Sequence, residues 1–234
     1  MSKKLGVIGG MGSEATSYYF QELVSHTHAE KDQGHIDTII LNHASLPDRT
    51  EAILTNNKAE LLEKMTEDAQ LLERLGVENI AIPCNTSHFL YDEISKNISI
   101  PIIHMVRETV MHAADKYENL QKIGLMATNG TLQSKVYHNE CDRLGIEVVT
   151  PSKERQEDVM SLIYDDIKRG HSGDYSKFQR TYDELMAADC DVIILACTEL
   201  SVFKNKNEVH KNCIDAMDIL VKESIERSEG IYQE

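Results

Sequence analysis

The sequence predicts an α/β protein of parallel sheets with helices on both faces, arranged as two similar halves. Two observations carry this prediction. Short apolar runs alternate with longer segments of helical period along the whole chain, and such alternation makes successive strands parallel. The pattern then restarts. "LGVIGG" (residues 5–10) parallels "IGLMAT" (123–128), and "IAIPCNTS" (80–87) parallels "IILACTEL" (193–200). Gly6 to Cys84 spans 78 residues and Gly124 to Cys197 spans 73. Two matched pairs at near-equal spacing indicate duplicated halves, with a boundary near residues 98–104, around Pro101.

The elements follow in order. "KLGVIGG" reads as a strand into a turn, "EATSYYFQELVSHTHAEK" as a helix and "HIDTIILNH" as a strand. In "KAELLEKMTEDAQLLERLG", Leu61, Leu62, Met65, Ala69, Leu72 and Leu75 share one helical face, and Gly76 stops it. "ENIAIPC" is a strand, "TSHFLYDEISKN" a helix and "IPIIHM" a strand. In the second half, "QKIGLMAT" is a strand, "TLQSKVYHNECDRLG" a helix and "IEVVT" a strand. Two helical stretches, "ERQEDVMSLIYDDIKRG" and "DYSKFQRTYDELMAADC", precede the strand "DVIILAC". "EVHKNCIDAMDILVKESIERSEG" reads as one long closing helix.

Composition narrows the function classes. With 41% hydrophobic and 27% charged residues among 234, the chain can bury a core. A net charge of −15 repels nucleic acid and anionic membrane. It also repels an acidic substrate, so such a ligand needs cations in direct contact. Lys3-Lys4 is followed by only four apolar residues, too few for a secretion signal, and no run reaches the length of a membrane helix. A cytoplasmic protein is expected. Five cysteines without C-x-x-C do not read as a disulfide framework.

"GMGSEA", from Gly10 to Ala15, fits the dinucleotide pattern G-x-G-x-x-G/A. That pattern also requires an acidic residue at the end of the second strand. "DTIILNHAS" offers Asn42 and His43 there instead. What remains is a tight glycine turn opening a helix, a geometry that presents N–H groups to a small carboxylate, or a turn that merely connects elements.

Cys84 and Cys197 carry the chemistry. Each follows an apolar strand and precedes a polar, helix-starting stretch, the place where open α/β sheets bind ligands. N–H groups at a helix start are expected to lower a thiol's pKa. A free cysteine is commonly core, and Cys141, Cys190 and Cys213 are read that way. For Cys84 and Cys197 the repeat symmetry favours function. If the halves face each other, the thiols approach one site from opposite sides. A thiolate removing a proton from one face of a carbon and a thiol returning one to the other face would invert a stereocentre.

These residues resemble the aspartate/glutamate racemase family. "GVIGGMGSEAT", "LPDRT", "IPCNTSH", "DDIKRG" and "LACTEL" match its motifs in order over nearly the whole chain. The resemblance implies two similar α/β domains with four-stranded parallel sheets, residues 1–100 plus 208–234 and residues 101–207, with the site between them. It implies a homodimer that uses neither pyridoxal phosphate nor metal. By position it implies that Cys84 and Cys197 are the acid/base pair. Asn85, Thr86, Ser87, Thr128 and Thr198 would hold the substrate's α-carboxylate. Arg49 and Lys168 would grip its side-chain carboxylate, with Met11 and Asn42 lining the pocket. Glu199 would meet the α-ammonium or cap the following helix. Ala196 stands where the family commonly has Gly, and Ser87 where its residue varies. Two other readings stay open on the residues alone: another isomerase or decarboxylase of small carboxylates on the same fold, or a dicarboxylate-binding protein.

Overall fold

The computed structural model describes residues 3–234. The run Leu-Gly-Val-Ile-Gly is wholly buried as strand β1 (Leu5–Gly9), followed by α1 (Ser13–His26). β2 (Thr38–Asn42), α2 (Arg49–Leu54), α3 (Ala59–Arg74) and β3 (Asn79–Ala81) complete a parallel sheet of order β2-β1-β3. A 3₁₀ turn at Thr86–Leu90 then leads to α4 (Tyr91–Ser95).

The second half comprises α5 (Met105–Lys116), β4 (Lys122–Ala127), α6 (Asn129–Ser134), α7 (Val136–Asp142), β5 (Glu147–Val149) and α8 (Lys153–Ser161). A π-helical turn at Leu162–Asp166 and a 3₁₀ turn at Ile167–Arg169 follow. The chain ends with α9 (Tyr175–Ala187), β6 (Val192–Ala196), α10 (Thr198–Lys206), β7 (Cys213–Asp215) and α11 (Ala216–Arg227). The second sheet is parallel, of order β5-β4-β6-β7.

The two sheets are built on one plan. β1 and β4 are central, β2 and β5 lie on one side, and β3 and β6 lie on the other. Where the second sheet has β7, the first has one bridge, Ile80 to Ile102. There the Ile80 N–H donates to the Pro101 carbonyl at 3.0 Å and the Ile103 N–H to the Ile80 carbonyl at 2.8 Å. The fourth strand expected in the first sheet is cut to this bridge because α5 starts at Met105.

Alternation along the strands divides the core. Leu5 and Val7 face a core shared by the two halves, which also holds Phe178, Ile193, Leu195 and Leu220. Ile8 faces Leu61, Met65 and Leu72 of α3. Val192 and Ile194 face Val106 and Val110 of α5.

Three segments differ from expectation. α5 was not anticipated. The helix expected over "TLQSKVYHNECDRLG" breaks at Lys135, whose φ of 57° is left-handed. The single closing helix instead contains β7, which joins the second sheet, although residues 208–234 were assigned to the first domain. α11 packs against α1 and α5. Among the described residues no helix is long and apolar enough to cross a membrane.

Candidate active site

In each sheet the chain leaves the central strand toward opposite sides, so loops diverge between β1 and β3 and between β4 and β6. Such switch points form crevices beyond the strands' C-terminal ends. Here the two crevices face each other and close on one cavity. Met11 reaches it from the loop after β1; Cys84, Asn85 and Thr86 from the segment after β3; Thr128 from the end of β4; and Cys197, Thr198 and Glu199 from the end of β6. Arg49 and Lys168 complete it with Asp48, Thr50 and Tyr164. The free space inside is about 20 Å³, room for about one water.

The loop after β1 is fixed from within. Gly10 has φ +88°, and a Cβ there would stand 2.4 Å from the His43 backbone, so only glycine fits. Its N–H donates to Thr16 Oγ1 at 2.9 Å, and that hydroxyl donates to the Gly12 carbonyl at 2.9 Å. The Gly10 N–H is therefore satisfied by its own helix, and the expectation that this turn offers its amides to a carboxylate fails at Gly10.

Cys197 occupies the N-cap position of α10. Its thiol donates to Glu199 Oε2 at 2.9 Å, and Lys168 Nζ lies 3.6 Å from Glu199 Oε1. Burial pushes the Cys197 thiol well up, and the charge and hydrogen bond of Glu199 push the same way. The helix start was expected to lower this pKa; desolvation and the carboxylate outweigh it. Burial works against the Lys168 ammonium, but Glu199 and Cys197 beside it hold its pKa above that of free lysine. The ammonium also lies 4.6 Å from the centroid of the Tyr164 ring. Arg49, the first residue of α2, donates from Nη1 to the Pro47 carbonyl and from Nη2 to the Met11 carbonyl, each at 3.2 Å. Those bonds hold its buried guanidinium against the cavity.

On the Cys84 side, the Tyr137 hydroxyl donates to Asn85 Oδ1 at 2.5 Å, and Asn85 Nδ2 is buried without a partner. A buried unpaired donor costs about 1–3 kcal/mol, so a ligand oxygen accepting from it would recover that energy. Four threonine hydroxyls join the halves beside the cavity. Thr86 lies 3.2 Å from Thr128 and 2.8 Å from Thr131, and Thr50 lies 3.5 Å from Thr128. Met105 N–H donates to His88 Nε2 at 3.1 Å, which leaves the ring's proton on Nδ1, facing the Cys84 carbonyl at 2.9 Å. Burial lowers the His88 pKa.

The cavity brings together Met11, Arg49, Cys84, Asn85, Thr86, Thr128, Lys168, Cys197, Thr198 and Glu199. It does not include Asn42, expected to line it, because Asn42 ends β2 at the surface and donates to Ser13 Oγ at 3.0 Å. Ser87 is buried behind the wall, with its hydroxyl on Met11 Sδ at 3.1 Å. Sequence reasoning missed Asp48, Thr50 and Tyr164. Tyr164 follows Ile163 in a helical run and gives no local signal; its hydroxyl meets Thr50 Oγ1 at 3.2 Å across 114 residues. Among the described residues no group of three or more His, Cys, Asp or Glu side chains is placed to hold a metal ion.

The family model of the Asp/Glu/hydantoin racemases matches residues 8–224. The chain is 27% identical to the broad specificity amino-acid racemase RacX of Bacillus subtilis (strain 168) over 226 residues, 94% of this chain and 96% of the relative. In structure it is similar to an aspartate racemase of Picrophilus torridus, with a TM-score of 0.81 and 26% identity over 98% of this chain and 96% of that one. It shares the fold of an aspartate racemase homologue from Pyrococcus horikoshii OT3, with a TM-score of 0.76 and 22% identity over 97% and 99% of the two chains.

Proposed function

Because the chain belongs to the Asp/Glu/hydantoin racemase family, we propose that it racemises small acidic amino acids, aspartate first, using Cys84 and Cys197 and no cofactor. One observation carries this reading: both thiols open into the same small cavity, and Arg49 and Lys168 stand in its wall. A dianionic substrate in a chain of net charge −15 needs such contact cations.

In this mechanism one cysteine, as thiolate, takes the proton from Cα while the other, as thiol, gives its proton to the opposite face. The thiols end with their protonation states exchanged, and the reverse reaction restores them. Cys197 begins as the acid, because burial and Glu199 hold its proton on sulfur. A substrate ammonium near Glu199 would offset that carboxylate's charge and ease proton release. Asn85 Nδ2, buried and unpaired, would donate to the α-carboxylate. A site this small must part its two halves to admit an amino acid and then close. Closure excludes water and strengthens each charge contact.

The test is pure L-aspartate with no added cofactor and with metal chelated, followed by chiral chromatography. Racemisation is expected in the natural chain, with a loss of about 10²–10⁴-fold in Cys84→Ala and in Cys197→Ala. Undiminished racemisation in both variants rejects the two-thiol mechanism. A panel of L- and D-amino acids tests the acidic preference, since the relative RacX carries a broad specificity name. Faster turnover of neutral or basic amino acids than of aspartate rejects that preference.

A further inference from the structure

A cavity of about 320 Å³ lies at the other ends of the helices that frame the cysteines. The N-terminal residues of α2 and the cap of α6 face the thiols; Ala52, Ile53 and Ser134, at their C-terminal ends, face this second space. Its size falls within the usual range of small-molecule sites, about 300–1,000 Å³, and neither thiol lines it.

The lining is chemically selective. Lys58, Arg107 and Arg143 line it with Asp92 and Glu140, and Lys58 Nζ pairs at 2.7 Å with Glu93 Oε1, outside the lining. The lining's three cations to two carboxylates reverse the balance of the whole chain, which has 39 acidic and 24 basic residues. Glu140 is buried and fixed: Arg107 reaches it at 3.2 and 3.3 Å and Arg143 Nη1 at 3.0 Å. Arg143 commits that one nitrogen and keeps its side chain 62% exposed. Beside this cluster the Tyr91 and His104 rings sit with centroids 4.3 Å apart, and the Arg107 guanidinium lies 5.8 Å from the Tyr91 centroid. Guanidinium donors bind carboxylates in paired geometry, and such rings stack on flat ones.

We propose that this cavity is a second ligand site, for a small carboxylate bearing a planar ring, and that its occupancy is felt at Cys84. The ligand's carboxylate meets Arg143 and Arg107, and its ring lies along Tyr91 and His104. Two bonds carry the effect inward. His88 lines the cavity and contacts the Cys84 carbonyl at 2.9 Å. Tyr137, on the helix that supplies Val136, Asn139 and Glu140 to the cavity, donates to Asn85 next to Cys84. The ligand also bridges helices from both halves, so it biases how they close over the thiols.

The experiment titrates the full chain with 4-fluorophenylacetate, read by ¹⁹F line broadening. Alkylation of Cys84 by iodoacetamide is followed in parallel by peptide mass spectrometry. Saturable broadening is expected below about 10 mM, the range of a weak fragment. It should persist in Arg49→Ala, whose side chain lines the thiol cavity and not this one. It should weaken about tenfold or more in Arg143→Glu, a substitution at an exposed side chain, and in Lys58→Glu, each checked for folding by circular dichroism. Saturating probe should change the Cys84 alkylation rate about twofold or more. Absence of broadening, equal broadening in folded Arg143→Glu and Lys58→Glu, or its loss in Arg49→Ala overturns the site. An unchanged Cys84 rate at saturation overturns the coupling.

Discussion

Cys197 and Glu199 form one hydrogen-bonded unit: the thiol donates to the carboxylate at 2.9 Å within the cavity that Cys84 also lines. Burial, then the Glu199 charge, then this bond keep the Cys197 proton on sulfur. Glu199→Gln removes the charge and leaves the burial. The Cys197 pKa should fall, more thiolate should be present at any pH between 7 and 9, and alkylation of Cys197 by iodoacetamide should quicken several-fold. Peptide mass spectrometry reads the rate; an equal or slower rate contradicts the coupling. Racemisation should nevertheless drop if Glu199 meets the ammonium, and the two readouts separate those roles.

Lys168 works in the opposite sense. Its charge lowers the Cys197 pKa, and it balances Glu199 at 3.6 Å. Lys168→Met should therefore slow Cys197 alkylation and also weaken aspartate binding. Arg49→Ala, on the other half, should weaken aspartate binding without changing Cys197 alkylation. Each binding loss should be about 2–4 kcal/mol, as for the removal of a buried partner of a ligand charge. Calorimetric titration with aspartate of chains also carrying Cys84→Ala would measure it.

The strands were legible because β1, β4 and β6 are runs of buried residues, with at most Lys122 partly exposed. The cysteines were legible because the chain repeats, so one motif vouches for the other. What stayed hidden was tertiary. Lys135 adopts a left-handed φ that its own neighbours do not announce. β7 is three residues long, too short for a period, and exists because β6 offers it an edge. α5 begins three residues after Ile102, the bridged residue of the strand-like "IPII", so helix and strand signals merge. Tyr164 enters the site only through a contact with Thr50, and Asn42, at a strand end like the others, turns outward to Ser13.

The contact between α2 and α6 makes a mechanical prediction. A Cβ on Gly130 would stand 2.8 Å from both Thr50 Cα and Thr50 Oγ1. Backbone cannot yield as a flexible side-chain tip can, so Gly130→Ala should force the halves apart or unseat Thr50 from Thr128. Overpacking of this kind costs about 1–3 kcal/mol. Urea denaturation should show that loss, and racemisation should fall further than stability explains, because Thr50 and Thr128 both wall the cavity. Wild-type stability with wild-type activity would mean that the contact is slack.

Acid sensitivity follows from His104. Its Nδ1 accepts the Arg107 N–H at 3.1 Å as the N-cap of α5, and only 7% of the residue is exposed. Burial, reinforced by the charges of His88 and Arg107, lowers its pKa from 6.5 to about 3. In the unfolded chain it takes a proton near pH 6.5, so between that pH and about 3 the unfolded state binds more protons than the folded one. Stability must then fall as pH falls through this window, by about 1.4 kcal/mol per pH unit for one full proton. His88, lowered by burial, contributes in the same direction. His104→Asn keeps a good cap and removes the titration. Urea unfolding at pH 7, 6 and 5 should show a shallower decline for the variant than for the natural chain, by about 1 kcal/mol per pH unit below 6. Parallel declines would mean that His104 is protonated in the folded chain at pH 5, and that the burial and cap drawn here do not hold it neutral.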